Sequence, residues 1–548
     1  MSDVLASLGV LAAAGSAATA ILLPAGRLRA AAMLAALVLF PVLVLGDQWD
    51  SRQIVDLRDG TFRFASFGYL AVVATLLLAA IFDRWPFAMP LAIVAALPFR
   101  IPLESGGDTA NLLVPLYLVI AGGVLATAFR DLGFSREARP AGPVAAGDPP
   151  PLPVAKASSG AGPPTAPPAE RAAYWLPRVL AAVVVLYALQ TLYSPDFSKS
   201  LQNVCFFFVP FSLVYALLRD VRWDRELLAW VLGIVAIEAV LFVAVGSVEY
   251  VTRELFWNDL VIRSNEFHTY FRVNSVFWDP NIYGRYLALV AVLAMAVLLW
   301  ARERRSFVLL TVLIAVLWIG LVPTFSQSSF AALLGGLAVL AALKWSAKWT
   351  LVAVGAGAIL AVSIVVFAGG VSKLSPDRCN VDTGGRCNLV AGGAKLFGQR
   401  PLWGYGSGSF PKAYRQHIDT DNAPVSVSHT EPITVAAEQG LVGFAAYVAL
   451  IVVALWTMAR GLAWNASPAG GAVGGTAPEE ALATGGGGGS PAATGPAGHV
   501  ARAPVLAAFV ALLVHTMAYA GFYEDPITWV LLAVGASLAC APAVRDAA

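Results

Sequence analysis

Of the five histidines in this 548-residue chain, His429 is the best placed to move a proton. It stands in Ser428-His429-Thr430-Glu431-Pro432, at the end of a long polar stretch and directly before apolar sequence resumes. A neutral imidazole with an ordinary pKa near 6.5 accepts a proton from a hydroxyl at neutral pH. The other four are less suited. His499 lies in a low-complexity stretch, His515 lies inside an apolar run, and His268 and His417 adjoin neither a helix start nor a motif. Glu431 and Glu438 are candidates to orient His429, and Glu438 equally fits a satisfied first-turn carboxylate.

Three further polar clusters are unusual in so apolar a chain. Phe277 to Arg285 brings Asp279, Asn281 and Arg285 together, Pro323 to Ser329 includes Gln327, and Arg400 to Phe410 is rich in glycine and includes Tyr405. Each also has a structural reading. Asp279-Pro280 fits an N-cap followed by proline at the first helical position. Ser326 and Ser329 fit close helix approach through small residues, and the glycines around Tyr405 fit turns. Arg285 falls four residues after Asn281, on the same helical face.

What must position these clusters is a membrane bundle. Hydrophobic residues make up 58% of the chain and charged residues 13%, with a mean hydropathy of +0.72, outside the range of soluble domains. Apolar runs of about 20 residues, each able to cross a ~30 Å hydrocarbon core, recur from end to end. No strand alternation suggests a barrel. The expected fold is all-α and polytopic, with about 15 spans near 4–24, 28–46, 66–82, 86–103, 111–129, 173–193, 200–218, 225–247, 281–300, 306–322, 327–344, 349–369, 433–458, 503–521 and 526–543. The first is expected to be a retained span and not a signal peptide.

Orientation follows from arginine and lysine in short loops. Arg27, Arg84, Arg130, Arg219, Arg302 and Lys344 fall on alternate turns, which are therefore expected inside. The loops near 47–65, 248–280, 322–326 and 370–432 are then outside, and every polar cluster above converges on that outer face. Residues 137–170 and 464–500 are Pro/Ala- and Gly-rich and are expected to be disordered cytoplasmic linkers. Cys379 and Cys387 share the large outer loop, where a disulfide would close a short ring and contribute roughly 2–3 kcal/mol. Cys205 and Cys540 lie in apolar spans and read as packing residues. A zinc site at Cys379 and Cys387 lacks its second pair of ligands. A net charge of +2 without a basic patch argues against nucleic acid as a partner.

Taken together, Phe277 to Arg285, the run Arg400-Pro401-Leu402-Trp403-Gly404-Tyr405-Gly406-Ser407-Gly408-Ser409-Phe410, and Ser428 to Glu431 followed by Glu438-Gln439-Gly440-Leu441-Val442-Gly443 resemble the O-antigen ligase and O-antigen polymerase family of bacterial envelope glycan enzymes. The resemblance covers roughly residues 86–543. It implies about twelve core helices with a large extracytoplasmic loop before the last three. The chain then divides into extra N-terminal helices (1–85), first core helices (86–130), a linker (131–172), core helices (173–369), the catalytic loop (370–432), one helix (433–463), a second linker (464–502) and the last helices (503–548). One departure is Ser326-Gln327, where family members often carry Ser-Arg.

The implied activity is metal-independent glycosyl transfer without cofactor. A saccharide would pass from a polyprenyl-diphosphate-linked donor to a glycan, lipid or protein hydroxyl, outside the plasma membrane of a bacterium. Partners would also include membrane lipid and other envelope glycan assembly proteins. A base must take the acceptor proton and cations must stabilise the departing diphosphate. His429 fits the first role, and Arg285, helped by Arg272 and Arg400, fits the second, with Asp279, Asn281, Gln327 and Tyr405 as further substrate-binding candidates. Polymerisation and ligation remain equally open. A transporter or flippase of the same lipid-linked glycans is the alternative, disfavoured because only Glu238 and His515 fall deep in the membrane and no inverted repeat is visible. A sensor or scaffold would leave the outer loop free of such chemistry.

Overall fold

The computed structural model describes residues 3–47, 49, 55, 61–105, 108–133, 168–256, 259–267, 270–369, 385–418, 427–460, 462 and 496–540. Its helices are α1 (Asp3–Leu22), α2 (Arg27–Asp47), α3 (Thr61–Arg84), α4 (Ala88–Ala96), α5 (Val114–Asp131), α6 (Pro168–Thr191), α7 (Phe197–Leu218), α8 (Arg225–Thr252), α9 (Asp259–Phe267), α10 (Pro280–Trp300), α11 (Arg304–Leu321), α12 (Gln327–Lys344), α13 (Ala347–Gly369), α14 (Arg386–Gln399), α15 (Phe410–His417), α16 (Glu431–Ala459), α17 (Pro496–Thr516) and α18 (Pro526–Cys540). Among the described residues, ten are long and apolar enough to cross a membrane: α1, α2, α5 to α8, α10 to α12 and α16. The chain is a multi-pass helical membrane protein.

Several boundaries differ from the hydropathy reading. The span expected over 86–103 stops at Ala96, and an antiparallel hairpin follows, β1 (Ile101–Ser105) pairing with β2 (Asp108–Leu112) from Ile101↔Leu112 to Ser105↔Asp108. Pro98 ends the helix, since its ring displaces the carbonyl four residues back and it has no N–H to donate. The span expected over 503–521 ends at Thr516 and gives way to a turn. That same helix starts at Pro496, inside the stretch expected to be linker. Within the loop expected over 370–432, α14 and α15 are helical.

The bundle is drawn tight by small residues around α10, most of whose side chains are buried. A Cβ on Gly284 would lie 2.7 Å from Ser329 Oγ, and one on Gly336 would lie 2.6 Å from Val292 Cγ2. Close helix approach of this kind is how apolar helices gain contact energy in lipid. Residues Val204–Phe208 of α7 form a π-helical turn. Pro210 has no N–H for the Phe206 carbonyl four residues earlier, and the Tyr117 hydroxyl donates to that carbonyl at 2.9 Å. At the other end of α7, Arg29 donates to Asp220 and to the Ala216 carbonyl, and Arg219 Nη2 donates to the Leu23 carbonyl at 2.6 Å. These bonds tie α1 and α2 into the core.

Candidate active site

The site begins where α10 begins. Asp279 is extended and caps the helix, accepting from Asn281 N at 2.6 Å, and Pro280 occupies the first turn where no N–H partner is needed. Asn281 Oδ1 accepts from Arg272 Nη2 at 3.2 Å, and Arg272 Nε donates to the Thr324 carbonyl at 2.9 Å. Asn265 on α9 brackets the Arg272 backbone, accepting from its N–H at 3.0 Å and donating to its carbonyl at 2.9 Å. Two separate segments therefore fix this guanidinium, and a third fixes the backbone that bears it. Burial pushes its pKa down, and Asp279 opposes that shift.

His429 sits just ahead of α16 in the left-handed region, at φ 61°, a conformation uncommon for a residue with a Cβ and one that clusters at functional sites. Ser428 supports the turn. Its hydroxyl donates to the Thr430 carbonyl at 2.8 Å and shares a hydrogen bond with Thr434 Oγ1 at 2.8 Å. Burial holds the His429 pKa below its ordinary value, the Arg386 cation lowers it further, and Asp279 pulls it back up. The imidazole is thus neutral near pH 7, the form that accepts a proton.

Arg386, the first residue of α14, is within electrostatic range of both His429 and Arg272. Sequence reasoning missed it, because no motif marks it. It precedes Cys387, which is disulfide-bonded; Cys379, its expected partner, lies outside the described residues.

Next to this group, Arg285 Nη2 lies 2.9 Å from Asp525 Oδ2, with both side chains buried. The alignment is that of an ion contact, since Asp525 Oδ2 makes no hydrogen bond. Asp525 Oδ1 meanwhile caps α18, accepting from Ile527 N at 3.0 Å. Arg100, between α4 and β1, is within range of both members of the pair, and burial lowers its pKa while Asp525 raises it. Tyr519, in the turn before α18, links the two halves: Asp279, Arg285 and Arg100 all act on its hydroxyl, whose pKa burial raises. Four arginines thus face two aspartates, with the exposed Glu524 at the edge. Asp525-Pro526 repeats the Asp279-Pro280 pattern, a signal that could have drawn attention to it. Beneath them, His515 Nε2 and Ser328 Oγ share a hydrogen bond of 3.1 Å.

The remaining expected site residues have partners of their own. Glu431 accepts from Gly521 N at 2.7 Å and Phe522 N at 3.1 Å, so it pins the turn that bears Asp525. Glu438 accepts from Gly408 N at 2.8 Å and Phe410 N at 3.0 Å. Backbone amides thus engage both carboxylates. Gln327 is exposed at the start of α12. Tyr405 is buried and donates to Gln399 Oε1 at 2.6 Å, with the His417 ring 4.9 Å away. Arg400 lies over the Tyr405 ring, 4.6 Å from its centre. His268 lies outside the described residues.

The glycine-rich run has a structural task. α16 is broken at Gly440, whose φ of 64° and ψ of −164° are non-helical. Leu441 N donates to the Pro401 carbonyl at 2.7 Å, Gly406 N to the Glu438 carbonyl at 2.7 Å and Tyr405 N to the Ala437 carbonyl at 3.2 Å. The run re-satisfies the backbone groups that the break exposes, which a helix in lipid requires.

Among the described residues, no His, Cys, Asp and Glu side chains gather as a metal-binding set. Residues 313–448 match the family model described as O-Antigen ligase. The match includes Arg386, the glycine-rich run, His429 and Gly440, and it leaves out Arg100, Arg272, Arg285 and Asp525. No curated protein matches the chain.

Proposed function

We propose, for a chain whose residues 313–448 match the O-Antigen ligase family model, that it transfers a saccharide from a polyprenyl-diphosphate-linked donor to an acceptor hydroxyl on the extracytoplasmic face. The observation that carries this reading is the meeting of a neutral His429 with guanidinium groups in excess of carboxylates, drawn from segments far apart in sequence. A diphosphate needs cationic, hydrogen-bonding surroundings, and a departing one needs them most.

In this reading the acceptor oxygen attacks the anomeric carbon and its proton passes to the His429 imidazole. The bond from that carbon to the diphosphate oxygen breaks, and the polyprenyl diphosphate leaves with its charge held by Arg272 and Arg386. Arg285, already paired with Asp525, holds the donor side of the site together with Arg100. The proton on His429 then leaves to solvent. The chemistry is common to polymerisation and ligation.

The test is transfer by the purified chain in nanodiscs, supplied with lipid-linked glycan and candidate acceptors and followed by product mass. Product that forms only with the diphosphate-linked donor supports the reading, and its absence with every acceptor of the source envelope overturns it. The facing is tested separately: an impermeant thiol reagent on intact cells should label Lys395→Cys and not Lys348→Cys.

A further inference from the structure

Against the break in α16, the chain builds a pocket. Tyr193 and the turn Arg400-Pro401-Leu402-Trp403-Gly404 line an open pocket of about 560 Å³. Leu402 and Trp403 are each 58% exposed, and Tyr193 is 42% exposed. The aromatic surface is held rigidly. Tyr193 donates from its hydroxyl to the Trp403 carbonyl at 2.6 Å, and the turn is bonded to both sides of the break in α16. Ser194 Oγ donates to the Ser407 carbonyl at 2.9 Å, and Lys412 Nζ to the Pro195 carbonyl at 2.6 Å. A Cβ on Gly404 would lie 2.3 Å from the Glu438 carbonyl oxygen, so the turn is seated against α16 without slack.

Its chemistry is that of a sugar subsite. Broad, preorganised aromatic faces receive the C–H face of a pyranose, and the exposed Arg400 guanidinium, stacked 4.6 Å from the centre of the Tyr405 ring, offers several donors to hydroxyl or carboxylate groups. An acyl chain would fill such a pocket at the cost of desolvating that cation. The distance matters as well. Arg386, beside His429, and Arg400 stand at opposite ends of α14, whose 14 residues span about 21 Å at the helical rise. A unit bound at Trp403 is therefore several sugars away from the reacting carbon.

We propose that Tyr193, Arg400, Leu402 and Trp403 form a distal glycan subsite that grips a sugar unit remote from the transfer centre, so that the protein holds long saccharides and not single units. This rests on the glycan-transfer reading above and assigns it a second point of contact.

The experiment measures binding, not turnover. Water-soluble saccharide released by mild acid from the lipid-linked glycan of the source cells is divided into single-repeat and multi-repeat fractions. Each is titrated onto the full chain in nanodiscs by calorimetry and by tryptophan fluorescence. The multi-repeat fraction should bind more tightly than the single repeat. Trp403→Ala should weaken the long fraction about tenfold, as loss of a central aromatic anchor does, and Trp403→Phe should restore most of that loss. Equal binding of the long fraction by wild type and Trp403→Ala overturns the subsite. So does a Trp403→Ala effect on thermal midpoint alone, which would make Trp403 an aromatic anchor at the lipid interface. If wild type transfers saccharide but shows no length preference, only the subsite fails. If it binds no fraction and transfers no saccharide from the intact lipid-linked donor, the glycan reading fails too.

Discussion

Arg285 Nη2 and Asp525 Oδ2 lie 2.9 Å apart inside the bundle, with side chains 4% and 2% exposed. One residue opens its own helix by a turn and the other closes the turn before α18, so the pair fastens two distant parts of the chain beneath the candidate site. Removing one partner leaves the other charge buried, which costs about 3–5 kcal/mol. Asp525→Ala should therefore lower the thermal midpoint in detergent. Arg285→Met combined with Asp525→Leu should regain part of that loss and still fail to transfer. Arg285→Lys, which keeps the charge and loses the fork, should impair transfer almost as much as Arg285→Ala. Wild-type transfer by the double variant would reduce the pair to packing.

The pH dependence of transfer follows from the charges around His429. Burial and Arg386 both disfavour the imidazolium, so the rate should be flat at neutral pH and fall as pH drops through a midpoint below the ordinary 6.5 of imidazole. The neighbours set opposite signs. Arg386→Gln removes a repelling cation and should raise that midpoint, whereas Asp279→Asn removes an attracting anion, keeps the helix cap, and should lower it. Rate profiles normalised to their plateaus decide this, and midpoints that stay still in both variants would assign the limb to another group.

At Gly440 the backbone occupies a region almost confined to glycine, and a Cβ there would meet the Leu402 carbonyl oxygen at 2.4 Å. Backbone cannot rotate away as a side chain can. Gly440→Ala should cost roughly 3 kcal/mol or more through strain and overpacking, measured as a lowered thermal midpoint. A midpoint equal to that of wild type would mean that the glycine-rich run does not hold the break in α16.

The spans were legible because a membrane demands apolar runs of fixed length, and α10, α12 and α16 begin within about two residues of their hydropathy limits. Ends set by turn chemistry were harder. The hairpin after Pro98 and the turn after Thr516 are short apolar or mixed segments that hydropathy extends as helix. His429, Asp279 and Arg272 were visible because each adjoins a helix start or a loop with a clear polar signature. Arg386, Asp525 and Tyr519 were not, since nothing local shows that their turns fold over the start of α10. The two roles open to Glu438 look alike in sequence, since a carboxylate that accepts two backbone amides has the same local signature as one that would orient a base.

The central claim is that His429 takes the acceptor proton. The most direct test is single-turnover transfer from polyprenyl-diphosphate-linked glycan by purified His429→Ala protein in nanodiscs, with donor binding measured on the same sample. Loss of a general base costs on the order of 10²-fold or more in rate, so transfer should fall at least that far while donor affinity and thermal midpoint stay near wild type. Transfer at the wild-type rate, with the donor bound as before, would contradict the account.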